Sequence, residues 1–97
     1  MDVIRKQEGA TLTISVVGRL DTNTAPELEA EMKLDDAGEV VFDLAGLEYI
    51  SSAGLRVLMG AQKIMAARGG KMKVVNSNAM VRGVFDITGL SDIFSVE

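Results

Sequence analysis

At 97 residues, with 47% apolar and 25% charged residues, the chain has the size of one small domain and an ordinary soluble balance. A net charge of −4, ten scattered basic residues and 4% aromatics argue against a nucleic-acid partner, because few phosphates could be neutralised and few bases stacked. The chain has no cysteine and no histidine, which excludes disulfides, thiolate nucleophiles and cysteine-ligated zinc, and removes the usual general base and the commonest metal ligand.

No apolar run approaches the roughly 18 residues of a membrane span. Met1 to Lys6 has neither an apolar signal core nor a cleavage site, so the expected compartment is the cytoplasm. Val3 to Gln7 is expected to form a short edge strand, with a turn at Gly9. Thr11 to Val17 alternates polar and apolar residues, the period of a half-buried strand, so the two segments should pair as an antiparallel hairpin. Gly18-Arg19-Leu20-Asp21-Thr22-Asn23 is expected as a loop. Thr24-Ala25-Pro26-Glu27 fits a capping box that starts a first helix, with Leu28 and Met32 on its buried edge and Asp35-Asp36-Ala37-Gly38 ending it.

Glu39 to Leu44 is a continuous apolar strand, which predicts a central position covered on both faces. Ser52 to Arg68 carries Leu55, Leu58, Met59, Gln62, Met65 and Ala66 at helical spacing, widened by Ala61 and Ile64, and Gly69 supplies a left-handed cap. Lys71 to Val75 is a fourth strand. Asn78 caps a third helix carrying Val81, Val84, Phe85 and Ile87, closed by Gly89 with Leu90 reaching back to Phe85. Ile93 to Val96 adds a last strand. The order β-β-α-β-α-β-α-β predicts an α/β fold, a mixed but mostly parallel sheet with helices packed on it, in a single domain spanning residues 1–97.

The chemistry concentrates at Ser51 and Ser52, which open the second helix, where free N–H groups favour an anion. In the plainest reading one serine is an N-cap worth about 1 kcal/mol. If Ser51 caps, the Ser52 hydroxyl lies in the first turn and is free for a kinase, and Ala53 and Gly54 keep the surroundings small. Arg56 follows Ser52 by four residues on the same face. A cation there opposes the helix dipole, and a phosphate on Ser52 would reverse that sign. Asp21 is either a plain turn residue or a contact carboxylate on the sheet end that carries Ser52.

Other readings fit poorly. A serine hydrolase lacks its histidine, and Lys63 is about three turns from Ser52. A phospho-accepting receiver domain would use Asp43, but no acidic pair follows Val16-Val17 to hold magnesium, so Asp43 reads as a strand end. The six methionines are core filler, and no glycine-rich phosphate loop occurs.

Asp43-Leu44-Ala45-Gly46-Leu47-Glu48-Tyr49-Ile50-Ser51-Ser52-Ala53-Gly54-Leu55-Arg56-Val57-Leu58 closely resembles the signature of STAS domains, specifically the bacterial anti-sigma factor antagonists. Gly18 to Thr22 is similar to that family's loop after the second strand, and Ile87-Thr88-Gly89-Leu90 with Ile93-Phe94 to its C-terminal end. The resemblance implies a STAS fold and a binding protein, not an enzyme. Such a protein engages an ATP-binding serine kinase that is also an anti-sigma factor, and so frees a sigma factor. Phosphorylation of a serine at the start of the second helix ends the contact, and a serine phosphatase restores it.

Laid on this chain, the family motif Asp-Ser-Ser/Thr-Gly-Leu places the target at Ser52, with Ser51 as alternate acceptor in the acidic position and Ala53 next. Asp21, Thr22, Ser51, Ser52, Ala53, Gly54 and Arg56 are the implied partner contacts, with no cofactor, no metal, no nucleic acid and no direct membrane insertion. The alternative within the family is an accessory subunit of a membrane transporter, for instance a lipid-trafficking ABC system, that binds without being phosphorylated. A small-ligand or nucleotide sensor has no pocket motif to support it.

Overall fold

In the computed structural model, which describes residues 1–97, the elements run β1 (Asp2–Glu8), β2 (Thr11–Leu20), α1 (Ala25–Ala30), β3 (Glu39–Asp43), β4 (Leu47–Ile50), α2 (Ser52–Ala67), β5 (Lys71–Val75), α3 (Ala79–Thr88) and β6 (Ser95–Val96). A short 3-10 turn, Leu90–Asp92, precedes β6. The sheet order is β1-β2-β3-β5-β6, and only β1 and β2 are antiparallel. This is the expected mixed, mostly parallel sheet, with one strand more than the sequence pattern revealed. The segment between Asp43 and Ser51 holds β4, which pairs with β2.

β2 serves two partners along one edge. Thr11–Ser15 pairs with β3, and Gly18, Arg19 and Leu20 pair with β4, with a bulge between Gly18 and Arg19 where Glu48 of β4 is left without a partner. Gly18 (φ +108°) donates its N–H to the Gly46 carbonyl at 2.9 Å, which fastens the bulge. The strand therefore runs through Leu20, and residues 18–20 are not the loop expected from the sequence.

The helices cover one face of this sheet. Leu12, Ile14, Val16, Val40, Phe42, Met72 and Val74 point into a core shared with Leu28 of α1, Leu58 and Met65 of α2, and Val81 and Phe85 of α3. Phe85 meets Phe94 edge-on, with centroids 5.7 Å apart. Thr11, Thr13 and Ser15 line the opposite face and stay half-buried. β3 is central, as its apolar run implies, but it is not sandwiched between helices. Val41 is shielded on the open face by its cross-strand neighbours Thr13 and Lys73 and stands outside the core cluster.

Two helical expectations need correction. α1 ends at Ala30, well before Asp35. Leu28, Leu34 and Ala37 are all buried, and one continuous helix would aim them in different directions, so the chain unwinds to bring all three inward. Arg5 donates to the Glu31 and Lys33 carbonyls and Arg68 to that of Asp35, which holds the unwound segment. On α2 and α3, Ile64 and Ile87 face solvent, the latter 89% exposed, so neither widens the buried stripe. The stops of α2 and α3 fall at the expected glycines. Gly69 and Gly89 are both left-handed, and Gly70 N–H bonds to the Met65 carbonyl at 2.8 Å, closing a full Schellman turn on α2.

Gly54 decides how closely α2 approaches the sheet. A Cβ there would stand 2.6 Å from Leu20 Cγ and 3.0 Å from Ile50 Cγ1, so the first turn rests directly on the ends of β2 and β4. Gly54→Ala gains about 1 kcal/mol of helix propensity but loses about 1–3 kcal/mol to overpacking, so it is expected to be net destabilising. Gly83→Ala on α3 adds a methyl in open space and is expected to stabilise by about 0.5–1 kcal/mol. Urea denaturation of the two variants gives shifts of opposite sign if the packing is as described.

Candidate functional site

The pairing of β2 with β4 brings two loops to one end of the sheet. Ser51 N–H bonds to the Leu20 carbonyl at 2.9 Å, so the residue that precedes α2 is tied to the residue that precedes the Asp21 loop. The candidate residues on the two loops thus share a support, although they lie thirty positions apart in the chain.

The two serines divide their tasks. Ser51 is extended (φ −102°, ψ 175°) and its Oγ accepts from Gly54 N–H at a long 3.5 Å, the geometry of an N-cap. Ser52 is the first helical residue and is exposed, and its hydroxyl has no hydrogen-bond partner in the chain. Ala53 is half-buried. Gly54 is buried and faces inward, so its small size serves packing on Leu20 and Ile50, not the outer surface. Arg56 is exposed and forms no ion pair. It lines a shallow cleft of about 190 Å³ with Thr22, Pro26, Glu29 and Ala53, so Thr22, Ala53 and Arg56 do meet across the α1–α2 seam.

The Asp21 loop is built differently from the expected capping box. Thr24 is helical in conformation, and its side chain caps nothing in α1. Its Oγ1 instead accepts from Asp21 N–H at 2.9 Å and donates to the Arg19 carbonyl at 2.7 Å. Asp21 caps the turn that leads into α1, because its Oδ1 accepts from the N–H groups of Asn23 and Thr24 at 2.9 and 3.1 Å. The Thr24 amide is the largest of the causes that hold this carboxyl below the ordinary carboxylate range. Desolvation opposes it, and the Asn23 amide, the Thr24 hydroxyl and the Arg19 charge assist it.

Arg19 and Tyr49 are the neighbours that the sequence pattern concealed. The Arg19 guanidinium lies 4.5 Å from the Tyr49 ring centroid on β4 and 4.0 Å from Asp21 Oδ2. Both follow from the unrecognised β2–β4 pairing, in which Arg19 and Tyr49 are direct partners. Asp43 is a structural residue, as read. Its Oδ1 accepts from Ala45 N–H and from Asn76 Nδ2, at 3.0 and 3.1 Å. No group of three metal-ligating side chains forms, and no helix is long and apolar enough to cross a membrane.

The sequence profile of the STAS domain matches residues 3–97. The anti-sigma-B factor antagonist of Bacillus subtilis (strain 168) is 29% identical over 93 residues, spanning 94% of this chain and 85% of that protein. The protein of the same name from Staphylococcus epidermidis is 31% identical over 86 residues, spanning 86% and 80%. The crystal structure of an anti-sigma factor antagonist from Mycobacterium paratuberculosis has a TM-score of 0.86 at 26% identity, covering 98% of this chain and 83% of that one.

The depressed Asp21 carboxyl has a sign that can be measured. Its stabilisation is fully present above the ordinary 3.8 and is lost as pH falls through the lower folded value. Asp21→Asn is therefore expected to be less stable than the parent chain at pH 7, with the gap closing as pH drops below 3.8. Urea midpoints of the two chains at pH 7, 5, 4 and 3 check the convergence.

Proposed function

The chain belongs to the STAS domain family, and from that premise we propose that it is an anti-sigma factor antagonist working by reversible binding without catalysis. Its partner is an anti-sigma factor that is also an ATP-dependent serine kinase, and binding releases a sigma factor. The contact surface comprises the Asp21 loop, with Thr22, and the start of α2, with Ser51, Ser52, Ala53 and Arg56. Phosphorylation of Ser52 ends the contact, and a serine phosphatase restores it.

One observation carries this reading. Ser51 takes the N-cap, so the exposed Ser52 hydroxyl has no structural task and can be modified without loss of the helix. The surroundings are nearly neutral and small, with Arg56 the one cation within the first two turns of α2. A phosphate adds about −1.5 to −2 charges there. The amide N–H groups at the helix start and Arg56 compensate it while it faces water. Against a close-fitting partner the dianion must be desolvated, which costs several kcal/mol, and about 1.4 kcal/mol is already tenfold in affinity. The modification is thus tolerated by the fold and rejected by the interface.

Incubation with the cognate kinase and ATP, followed by mass-spectrometric site mapping, is expected to place phosphate on Ser52. Ser52→Ala should keep kinase affinity within a few-fold and accept no phosphate. Ser52→Asp should bind at least tenfold more weakly. Phosphate on Ser51 in the parent chain would move the switch to the cap itself, and undiminished binding by Ser52→Asp would refute the electrostatic mechanism. Recovery of a transporter ATPase as the bound partner would replace this reading with that of a transport accessory subunit.

A further inference from the structure

β1 is an edge strand with an unused side. Apart from its ladder with β2, no backbone or side-chain hydrogen bond reaches the main chain of Asp2–Glu8, so its outer row of N–H and C=O groups is free. The opposite edge, β6, is two residues long and offers no comparable template. On the open face of the sheet, β1 presents Asp2, Ile4, Lys6 and Glu8, all exposed, with Ile4 at 57%. We propose that β1 is a self-recognition strand, pairing antiparallel with β1 of a second copy of this chain so that Ile4 faces Ile4 across a two-fold axis.

The register follows from charge. A two-fold axis normal to the sheet keeps the open faces of both copies on one side, so a residue can only face one of its own alternation, an even shift along the strand. Five such registers pair at least three residues of the strand with its copy. Centring on Arg5 sets Arg5 against Arg5 and Asp2 against Glu8 twice. Centring on Lys6 sets Lys6 against Lys6. Centring on Val3 or on Gln7 shortens the ladder to three pairs; the first sets Asp2 against Ile4, and the second sets Lys6 against Glu8 but leaves both isoleucines outside the ladder. Centring on Ile4 sets Asp2 against Lys6 on both sides of the axis and joins the two exposed isoleucines between them. Of the registers that keep most of the strand paired, the charges that guard an open edge against indiscriminate pairing thus permit one, and only that one joins the exposed isoleucines. A single strand pair buries less than the roughly 1,200 Å² of a stable interface, so the dimer is weak and concentration-dependent.

The chain has no cysteine, so single replacements report the register directly. Under mild oxidation, Ile4→Cys is expected to form a disulfide dimer, whereas Lys6→Cys alone is not, since its two copies stand roughly 13 Å apart along the strands. An equimolar mixture of Asp2→Cys and Lys6→Cys should yield the mixed dimer in preference to either homodimer. In sedimentation equilibrium, Asp2→Lys should weaken self-association about tenfold because it spoils two pairs at once, and Asp2→Lys with Lys6→Asp should restore it. Cross-linking of Lys6→Cys as fast as Ile4→Cys would overturn the proposal, as would self-association unaffected by Asp2→Lys or a purely monomeric chain at millimolar concentration.

Discussion

Three residues of parallel pairing, between the end of β2 and β4, govern the arrangement at the end of the sheet that carries Asp21 and Ser52. They carry β2 past the point where β3 leaves it, and they bring the start of α2 beside the Asp21 loop. The bond from Ser51 N–H to the Leu20 carbonyl joins the two segments at their bases, and the missing side chain of Gly54 lets the helix rest on Leu20 and Ile50. Without that approach the first turn would be displaced outward, and Ala53 and Arg56 would no longer line a cleft with Thr22.

On that support the polar groups fall into two sorts. Asp21, Thr24 and Ser51 spend their side chains on nearby backbone groups, which makes their loops stiff. Ser52 and Arg56 have no such engagement and stand exposed between the stiffened segments. A binding surface controlled by one modification needs this combination. The frame must not respond to the added charge, and the modified group must have nothing to lose inside the domain. Arg19, laid on Tyr49 and close to Asp21, links the strand ends to the acidic loop and keeps the charge of that loop locally balanced.

The sequence made much of this legible, for physical reasons that can be separated. Alternation exposed β2, the unbroken apolar run exposed β3, and the repeat of Leu55, Leu58 and Met65 exposed α2, because each of these buries a patterned face. The serine pair at the start of α2 was legible because capping is a local code. β4 was not, since four residues carry too little periodicity, and with it went the partnership of Arg19 with Tyr49. The cap of α1 was assigned to Thr24 on its local pattern, but the Thr24 hydroxyl is engaged by the Asp21 N–H and the Arg19 carbonyl, and the Asp21 carboxylate takes the Thr24 amide to which Glu27 would have reached back. The length of α1 was overestimated because burial of Leu34 and Ala37, a tertiary demand, overrode helix propensity.

The most direct measurement is amide hydrogen exchange across the chain, alone and saturated with the anti-sigma factor proposed as its partner. New protection confined to residues 19–24 and 49–57, with β1, β5 and α3 unchanged, is the result expected if one rigid end of the sheet carries the contact. Protection centred on α3 or on β5 and β6, with the Asp21 loop and the start of α2 unaffected, would contradict it.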